Sequence, residues 1–242
     1  MIEFDAFQEL SPGGKIPEEI HEIANKEGWT AFVNACLLHF HENGIQPDQI
    51  IKFIHEMPYV EGAIDMLKTL KNDLNADIII ISDANSVYIN ESLTNAGVRD
   101  LISEIYTNPA EFDEKGQLIM KPFANQTECD LSARNLCKGT VMLNYMKDNN
   151  FDFVFYAGDG GNDFCPMEKL TDQDIAFVRK GYALEKKIPR MRDQKGLPIK
   201  ADIFYWTNSH EIIAHLRNKI NSKKWYLKQN NFENASLKNW LA

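Results

Sequence analysis

The sequence predicts an α/β protein, with a Rossmann-like parallel sheet carrying helices on both faces and a small helical cap. Three observations lead there. From residue 58 onward, helical patterns alternate with short apolar runs, the order that a parallel sheet with crossover helices requires. Two of those runs, "IIIIS" and "FVFYAG", are apolar without alternation, as strands are when both faces of their sheet are covered. Before residue 58 the apolar residues recur at helical spacing instead.

The elements follow in order. From 16 to about 57, Ile20, Ile23, Phe32, Val33, Cys36, Leu37 and Phe40, then Ile50, Ile51 and Ile54, keep a helical period. Residues 1–57 are therefore expected to form the cap region. A helix is expected over 62–71, a strand over 78–81, a helix after Asn85 and a strand over 102–106. Residues 107–121 are rich in turn formers, with a hairpin around "DEKG". A helix over 138–147 and strands over 153–157, 175–178 and 203–206 complete an α/β core spanning 58–221. Residues 222–242 turn polar around Trp225 and Trp240. They are read as a loosely ordered tail, with a docking amphipathic helix as the alternative.

Composition narrows the function. The formal net charge is −9 over 242 residues, which disfavours a nucleic-acid or anionic membrane surface, since phosphate backbones call for clustered Lys and Arg. Small ligands are the expected partners. No segment has the apolar length of a membrane span, and the first ten residues carry acids where a secretory signal carries basic and then apolar residues; the expected location is the cytoplasm. Cys36, Cys129, Cys137 and Cys165 are scattered and read as reduced thiols. The sequons at Asn90, Asn125 and Asn234 are chance matches in such a protein. His39 and His41 fall in an apolar helical stretch and read as packing or wet-face residues rather than metal ligands.

Three short stretches carry chemistry. In "FYAGDGGNDFCP", Asp159 and Asp163 follow an apolar strand whose exit is forced by glycines. Carboxylates therefore gather at a strand's C-terminal end, where open α/β sheets bind ligands. In "IIIISDANSVYINESLTNAG", Ser82, Asp83 and Asn85 stand between a buried strand and a helix. They suit an anion site at the helix start, and equally they suit simple capping. In "NLCKGTVMLNYM", Lys138 opens a helix against its dipole. A bound phosphate would account for that charge, and so would an ordinary surface lysine. A calcium loop at "GDGGND" is a third reading, but it lacks the pattern of an EF-hand.

Together these residues resemble the haloacid-dehalogenase-like phosphatases. Ser82, Lys138, and Asp159 with Asp163 look like their second, third and fourth motifs. More narrowly, "ISDAN", "LCKG", "GDGGNDFCP" and "SPGGKIP" resemble the phosphoethanolamine/phosphocholine phosphatase family, which includes a pyridoxal phosphate phosphatase. The likeness runs in order from about Phe7 to Ile220. It implies a magnesium ion held directly by Asp159 and supported by Asp163, with Ser82 and Lys138 on the phosphoryl oxygens as catalytic groups. It also implies Asp83, and Asn85 beside it, at the substrate's leaving group, where a carboxylate suits a cationic amine. The implied activity is magnesium-dependent hydrolysis of small phosphate monoesters, of the phosphocholine, phosphoethanolamine or pyridoxal phosphate type, through an aspartyl-phosphate.

The family's nucleophile lies in a "DxDxT" pattern that this sequence does not contain. Glu3 and Asp5 have the spacing of the carboxylate pair, which leaves Asp5 as the nucleophile candidate. Loss of a nucleophile costs on the order of 10⁶ in kcat in a well-studied hydrolase, and uncatalysed phosphate-monoester hydrolysis is among the slowest reactions known. The expectation is a sequence short at its N-terminus, poorly active as given. The alternative is an inactive relative that binds a phosphorylated metabolite.

Overall fold

In the computed structural model, residues 4–149, 151 and 153–229 are described. The chain divides into two compact units. One comprises the chain up to Pro58 with Ile79–Asp100 and Glu104–Cys137; the other comprises Tyr59–Ile78, Leu101–Ser103 and the chain from Lys138 onward.

The first unit is built on helices α1 (Phe4–Leu10), α2 (Glu18–Glu27), α3 (Trp29–Glu42) and α4 (Pro47–Glu56). In α3 the buried residues Phe32, Val33, Cys36, Leu37 and Phe40 form one stripe, the width that a core-facing helix needs. Phe7 from α1 packs among Phe32, Phe40 and Tyr88 at centroid distances of 6.2–6.3 Å. α4 begins with Pro47 at its first turn, and the Gln49 side chain accepts from the backbone N–H of Gln46 at 2.8 Å, which closes the helix start. His39 and His41 are half-buried on α3, and His39 Nδ1 lies 3.2 Å from the Asn43 amide.

Strand β1 (Ile79–Asn85) leads into α6 (Ser86–Asn95), after the helix α5 (Ala63–Asn72) of the other unit. β1 pairs in parallel with β2 (Glu104–Asn108). The hairpin of β3 (Ala110–Phe112) and β4 (Leu118–Met120) turns at 113–116. Asn34 ties α3 to that hairpin: its amide donates to the Met120 carbonyl at 2.7 Å and its oxygen accepts from the Met120 N–H at 2.9 Å.

The second unit holds α7 (Lys138–Asp148), β5 (Phe155–Gly158), α8 (Phe164–Glu168), β6 (Ile175–Arg179), α9 (Ala183–Lys195), β7 (Asp202–Trp206) and α10 (Ser209–Gln229). β5, β6 and β7 form a parallel sheet in that order, connected through α8 and α9 as crossovers. Phe177 is fully buried in the middle strand and meets Phe155, Phe204 and His215 at 5.7–5.9 Å. α10 packs on α5, where Arg217 reaches Asp73 at 2.9 Å.

The α/β class is as expected, but the parallel strands form two sheets, β1–β2 and β5–β6–β7. Alternation of helix and strand specifies parallel strands and does not specify which strand lies beside which. Helices α1, α8, α9 and α10 went unassigned in the sequence. α9 carries Pro189 in its interior, and α10 runs through Gln229 into the segment expected to be loose. Residues 230–242 of that tail, with Trp240, lie outside the described residues. Of the cysteines, Cys36, Cys137 and Cys165 are buried, and burial pushes the Cys36 thiol up to about 12. Scattering in sequence did not mean separation in space: the sulfurs of Cys129 and Cys137, both in the first unit, lie within 4.8 Å.

Candidate active site

Lys138, Asp159 and Asp163 come together in the second unit. They are 8, 5 and 4 % exposed, so three charged groups share a nearly dry space, which is tolerated only when charges are paired. β5 ends at Gly158, Asp159 follows, and a short turn over Gly161–Asp163 leads into α8. Asp163 is the hub of that turn. Its Oδ1 accepts from Lys138 Nζ at 2.7 Å and from the Tyr156 hydroxyl at 3.0 Å. Its Oδ2 accepts from the backbone N–H groups of Asp159 and Gly160 at 3.0 and 2.9 Å. Four donors on two oxygens leave this carboxylate as the support of the loop.

Glycine is needed at two positions to bring the parts so close. A Cβ on Gly158 would stand 2.6 Å from the Asp163 carboxyl carbon, and one on Gly139 would stand 2.6 Å from Cys165 Sγ. The second contact lets the start of α7 press on α8 and carries Lys138 to Asp163. The ammonium in the first turn of a helix, unfavourable by dipole alone, is thus answered by a buried carboxylate. α9 grips the same loop: Leu184 N–H donates to the Asp159 carbonyl at 2.9 Å, and Lys187 Nζ to the Gly161 carbonyl at 2.7 Å.

Asp159 is held differently. Its Oδ2 lies 3.5 Å from Arg179 Nη1. Burial raises its carboxyl above the ordinary carboxylate range, and the nearby Asp163 charge adds to the rise; Arg179 and Lys138 pull it back. A buried carboxylate at a strand end, backed by a saturated second carboxylate, fits a magnesium ion that takes few protein ligands and completes its octahedron with water and phosphate oxygens.

In the first unit, Ser82, Asp83 and Asn85 stand at the end of β1. The pairing with β2 skips from Ser82–Thr107 to Asn85–Asn108, so Asp83 and Ala84 bulge out of the ladder. Asn108, fully buried, fastens the bulge by donating to the carbonyls of Asp83 and Ala84, both at 2.9 Å. Trp29 Nε1 donates to the same Asp83 carbonyl at 3.2 Å. The Asn135 amide donates to Asp83 Oδ1 at 2.8 Å and to Asn108 Oδ1 at 3.2 Å. Ser82 Oγ accepts from the Ala84 N–H at 3.2 Å. Asn85, 2 % exposed, accepts from the Tyr88 N–H at 3.0 Å and caps α6; the capping reading of this residue is the one seen. The backbone of Asp5 lies in α1, while its side chain and all of Glu3 lie outside the described residues.

Tyr156, Arg179, Lys187, Asn108, Asn135 and Trp29 were not singled out in the sequence. Arg179 carried a usable signal, because it closes the apolar run 175–178 as Asp159 closes its own, whereas Asn108 ends the mixed strand EIYTN and carried little. Asn135 and Trp29 carried none, since they reach Asp83 from 52 and 54 residues away.

A parallel α/β unit with a buried Lys–Asp pair beside a second carboxylate is what the resemblance to haloacid-dehalogenase-like phosphatases implies, and the phosphatase class is where this chain falls. It belongs to the family described as Putative Phosphatase, which it matches over residues 4–220. It is similar to pyridoxal phosphate phosphatase PHOSPHO2 of Mus musculus, 33 % identical over 215 residues covering 86 % of this chain and 88 % of that protein. It is similar also to the phosphoethanolamine/phosphocholine phosphatase of Homo sapiens, 28 % identical over 224 residues covering 90 % and 84 %. The crystal structure of cytosolic 5'-nucleotidase IIIB bound to cytidine aligns with a TM-score of 0.42 at 11 % identity, over 78 % of this chain and 69 % of that one.

Proposed function

We propose that this protein hydrolyses small phosphate monoesters with magnesium, in the cytoplasm, and that its substrates carry a cationic group or are of the pyridoxal phosphate type. The observation that carries the reading is the buried cluster of Asp159, Asp163 and Lys138 in a chain that belongs to a phosphatase family. The names of its relatives, which act on phosphocholine, phosphoethanolamine or pyridoxal phosphate, support the substrate class. No helix among the described residues is long and apolar enough to cross a membrane.

Asp159 would hold the magnesium ion, with Asp163 behind it. When bound, the ion withdraws charge from phosphoryl oxygens. Lys138, fixed by Asp163, would neutralise phosphoryl charge as the ester breaks, and the Ser82 hydroxyl would donate to a phosphoryl oxygen. Asp83, with Asn135 setting one carboxylate oxygen, would attract the cationic leaving group. Asn85 would act on the substrate through the helix start that it caps.

A second reading is favoured by one observation. An aspartyl-phosphate route needs a carboxylate that attacks phosphorus, and the candidate, Asp5, lies in helix α1 rather than at the end of a strand. The second reading is a protein that binds a phosphorylated metabolite without turning it over.

Phosphate release from phosphocholine, phosphoethanolamine, pyridoxal phosphate and a phosphopeptide, with magnesium and with chelator, tests both. The first reading expects release from at least one small ester, slow because the "DxDxT" pattern is absent, and lost with chelator and in Asp159→Asn. Calorimetric binding of a small ester with no release would establish the second. Faster release from the phosphopeptide than from every small ester would overturn the substrate class.

A further inference from the structure

β6 ends at Arg179. Gly158 pairs with Val178 and Arg179 with Trp206, so one step beyond the last β5 pair the row across the sheet edge reads Asp159, Arg179, Trp206. Side chains in register across a parallel sheet leave on the same face, and the contacts agree. The Arg179 guanidinium lies 3.5 Å from Asp159, 4.2 Å over the Tyr182 ring and 5.6 Å from the Trp206 ring. The side chains of the ion pair are 17 % and 6 % exposed, where salt screens little. Stacking on two rings holds a planar guanidinium in place, as it would not hold an ammonium.

The two carboxylates of the cluster differ in how their charge is met. Asp163 accepts four hydrogen bonds, the shortest at 2.7 Å from Lys138. Asp159 faces a cation at 3.5 Å, a distance at which attraction persists without a tight bond. Such a cation steadies the carboxylate and opposes any second cation that approaches it.

We propose that Arg179 is a positioning residue that sets the metal affinity of this site: it is the resident counter-cation of Asp159, and a divalent cation must bind against its charge. The proposal rests on the reading of Asp159 as a magnesium ligand. Arg179 then raises the magnesium concentration at which the site loads, in exchange for keeping a buried carboxylate placed when no metal is bound.

Magnesium alone, titrated calorimetrically into the full chain at neutral pH and fixed ionic strength, tests this, with thermal melting to verify each variant's fold. Arg179→Gln should bind magnesium about tenfold more tightly than wild type, because a unit charge beside the ligand is gone. Arg179→Lys keeps the charge but, like Tyr182→Leu, gives up the stack, and should tighten binding by clearly less than Arg179→Gln. Tyr182→Leu keeps the arginine but releases its stack, and should tighten binding by a smaller factor; it serves if Arg179→Gln does not fold. General damage to the site would weaken binding, so tightening is not a by-product of misfolding. Unchanged or weaker binding in both Arg179→Gln and Tyr182→Leu, with Asp159→Asn much weaker than wild type, would overturn the role of Arg179 alone. No binding by wild type, or equal binding by Asp159→Asn, would overturn the metal reading and this proposal with it.

Discussion

The end of β5 and the end of β1 solve one problem by different chemistry. Both must hold an irregular backbone at the edge of a parallel sheet. At β5 the turn is held by a charged side chain, Asp163, which gathers two backbone N–H groups, a phenol and an ammonium. At β1 the bulge is held by neutral donors: the Asn108 amide and the Trp29 indole donate to backbone carbonyls, and the Asn135 amide links Asn108 to Asp83. The difference follows from which backbone groups are left over. A turn that exposes N–H groups is answered by a carboxylate, whereas one that exposes carbonyls needs donors, and amides supply them without adding charge beside Asp83.

That contrast predicts unequal costs. Asp163→Ala should be the most damaging change, because it strands a buried ammonium as well as two backbone donors. Breaking a buried ion pair from one side costs about 3–5 kcal/mol, which lowers the melting midpoint of a chain this size by on the order of 10 °C. Lys138→Met should cost less, since Asp163 keeps three donors and the methionine fills the same space. Adding it to Asp163→Ala should restore part of the loss. A midpoint for Asp163→Ala within about 2 °C of wild type, the equivalent of less than ~1 kcal/mol, would break the comparison.

At β1 the effects should be smaller. Asn108→Ala unpairs two carbonyls and the Phe123 N–H, which it accepts at 3.0 Å; losses for buried unsatisfied groups run about 1–3 kcal/mol. Urea unfolding reads this directly. Asn108→Asp sharpens the point, because it keeps the acceptor for Phe123 while turning a carboxylate oxygen toward the carbonyls of Asp83 and Ala84. It should be at least as unstable as the alanine. If it were as stable as wild type, charge would be tolerated at β1 and the neutral amides would need another explanation.

What the sequence made legible follows the same division. Ser82 and Asp159 were found because each follows an unbroken apolar run, and Asp163 because it stands in the glycine-rich exit of the same strand as Asp159, patterns written in neighbouring residues. The capping role of Asn85 was legible too, as it precedes a helical period by one position. The bulge at Asp83 and Ala84 was not, because register depends on the partner strand, and nothing near residue 83 announces Asn108 or Trp29. α9 was hidden by Pro189, which argues against a helix locally; buried Leu184, Ile188 and Met191 on one face outweigh it.

The smallest predicted effect has the opposite sign and separates the two aspartates of the β5 turn. Burial and Asp163 raise the Asp159 carboxyl above its ordinary range, and Arg179 and Lys138 only partly offset them. A carboxyl raised on folding favours the folded state while it is protonated. That contribution is present below its ordinary value and is lost as pH rises through the raised one. At neutral pH the charged Asp159 therefore costs stability when no metal is bound. Asp159→Asn keeps the shape and removes the charge, and Arg179 retains its two aromatic neighbours. Without metal the variant should melt higher than wild type at neutral pH. The gap should close as pH falls below the ordinary carboxylate range, where the wild-type residue is also neutral. Saturating magnesium should raise the wild-type midpoint and leave the variant's in place. A variant that melts lower than wild type at neutral pH without metal would mean that Asp159, like Asp163, is a structural carboxylate, and the distinction between the two would fall.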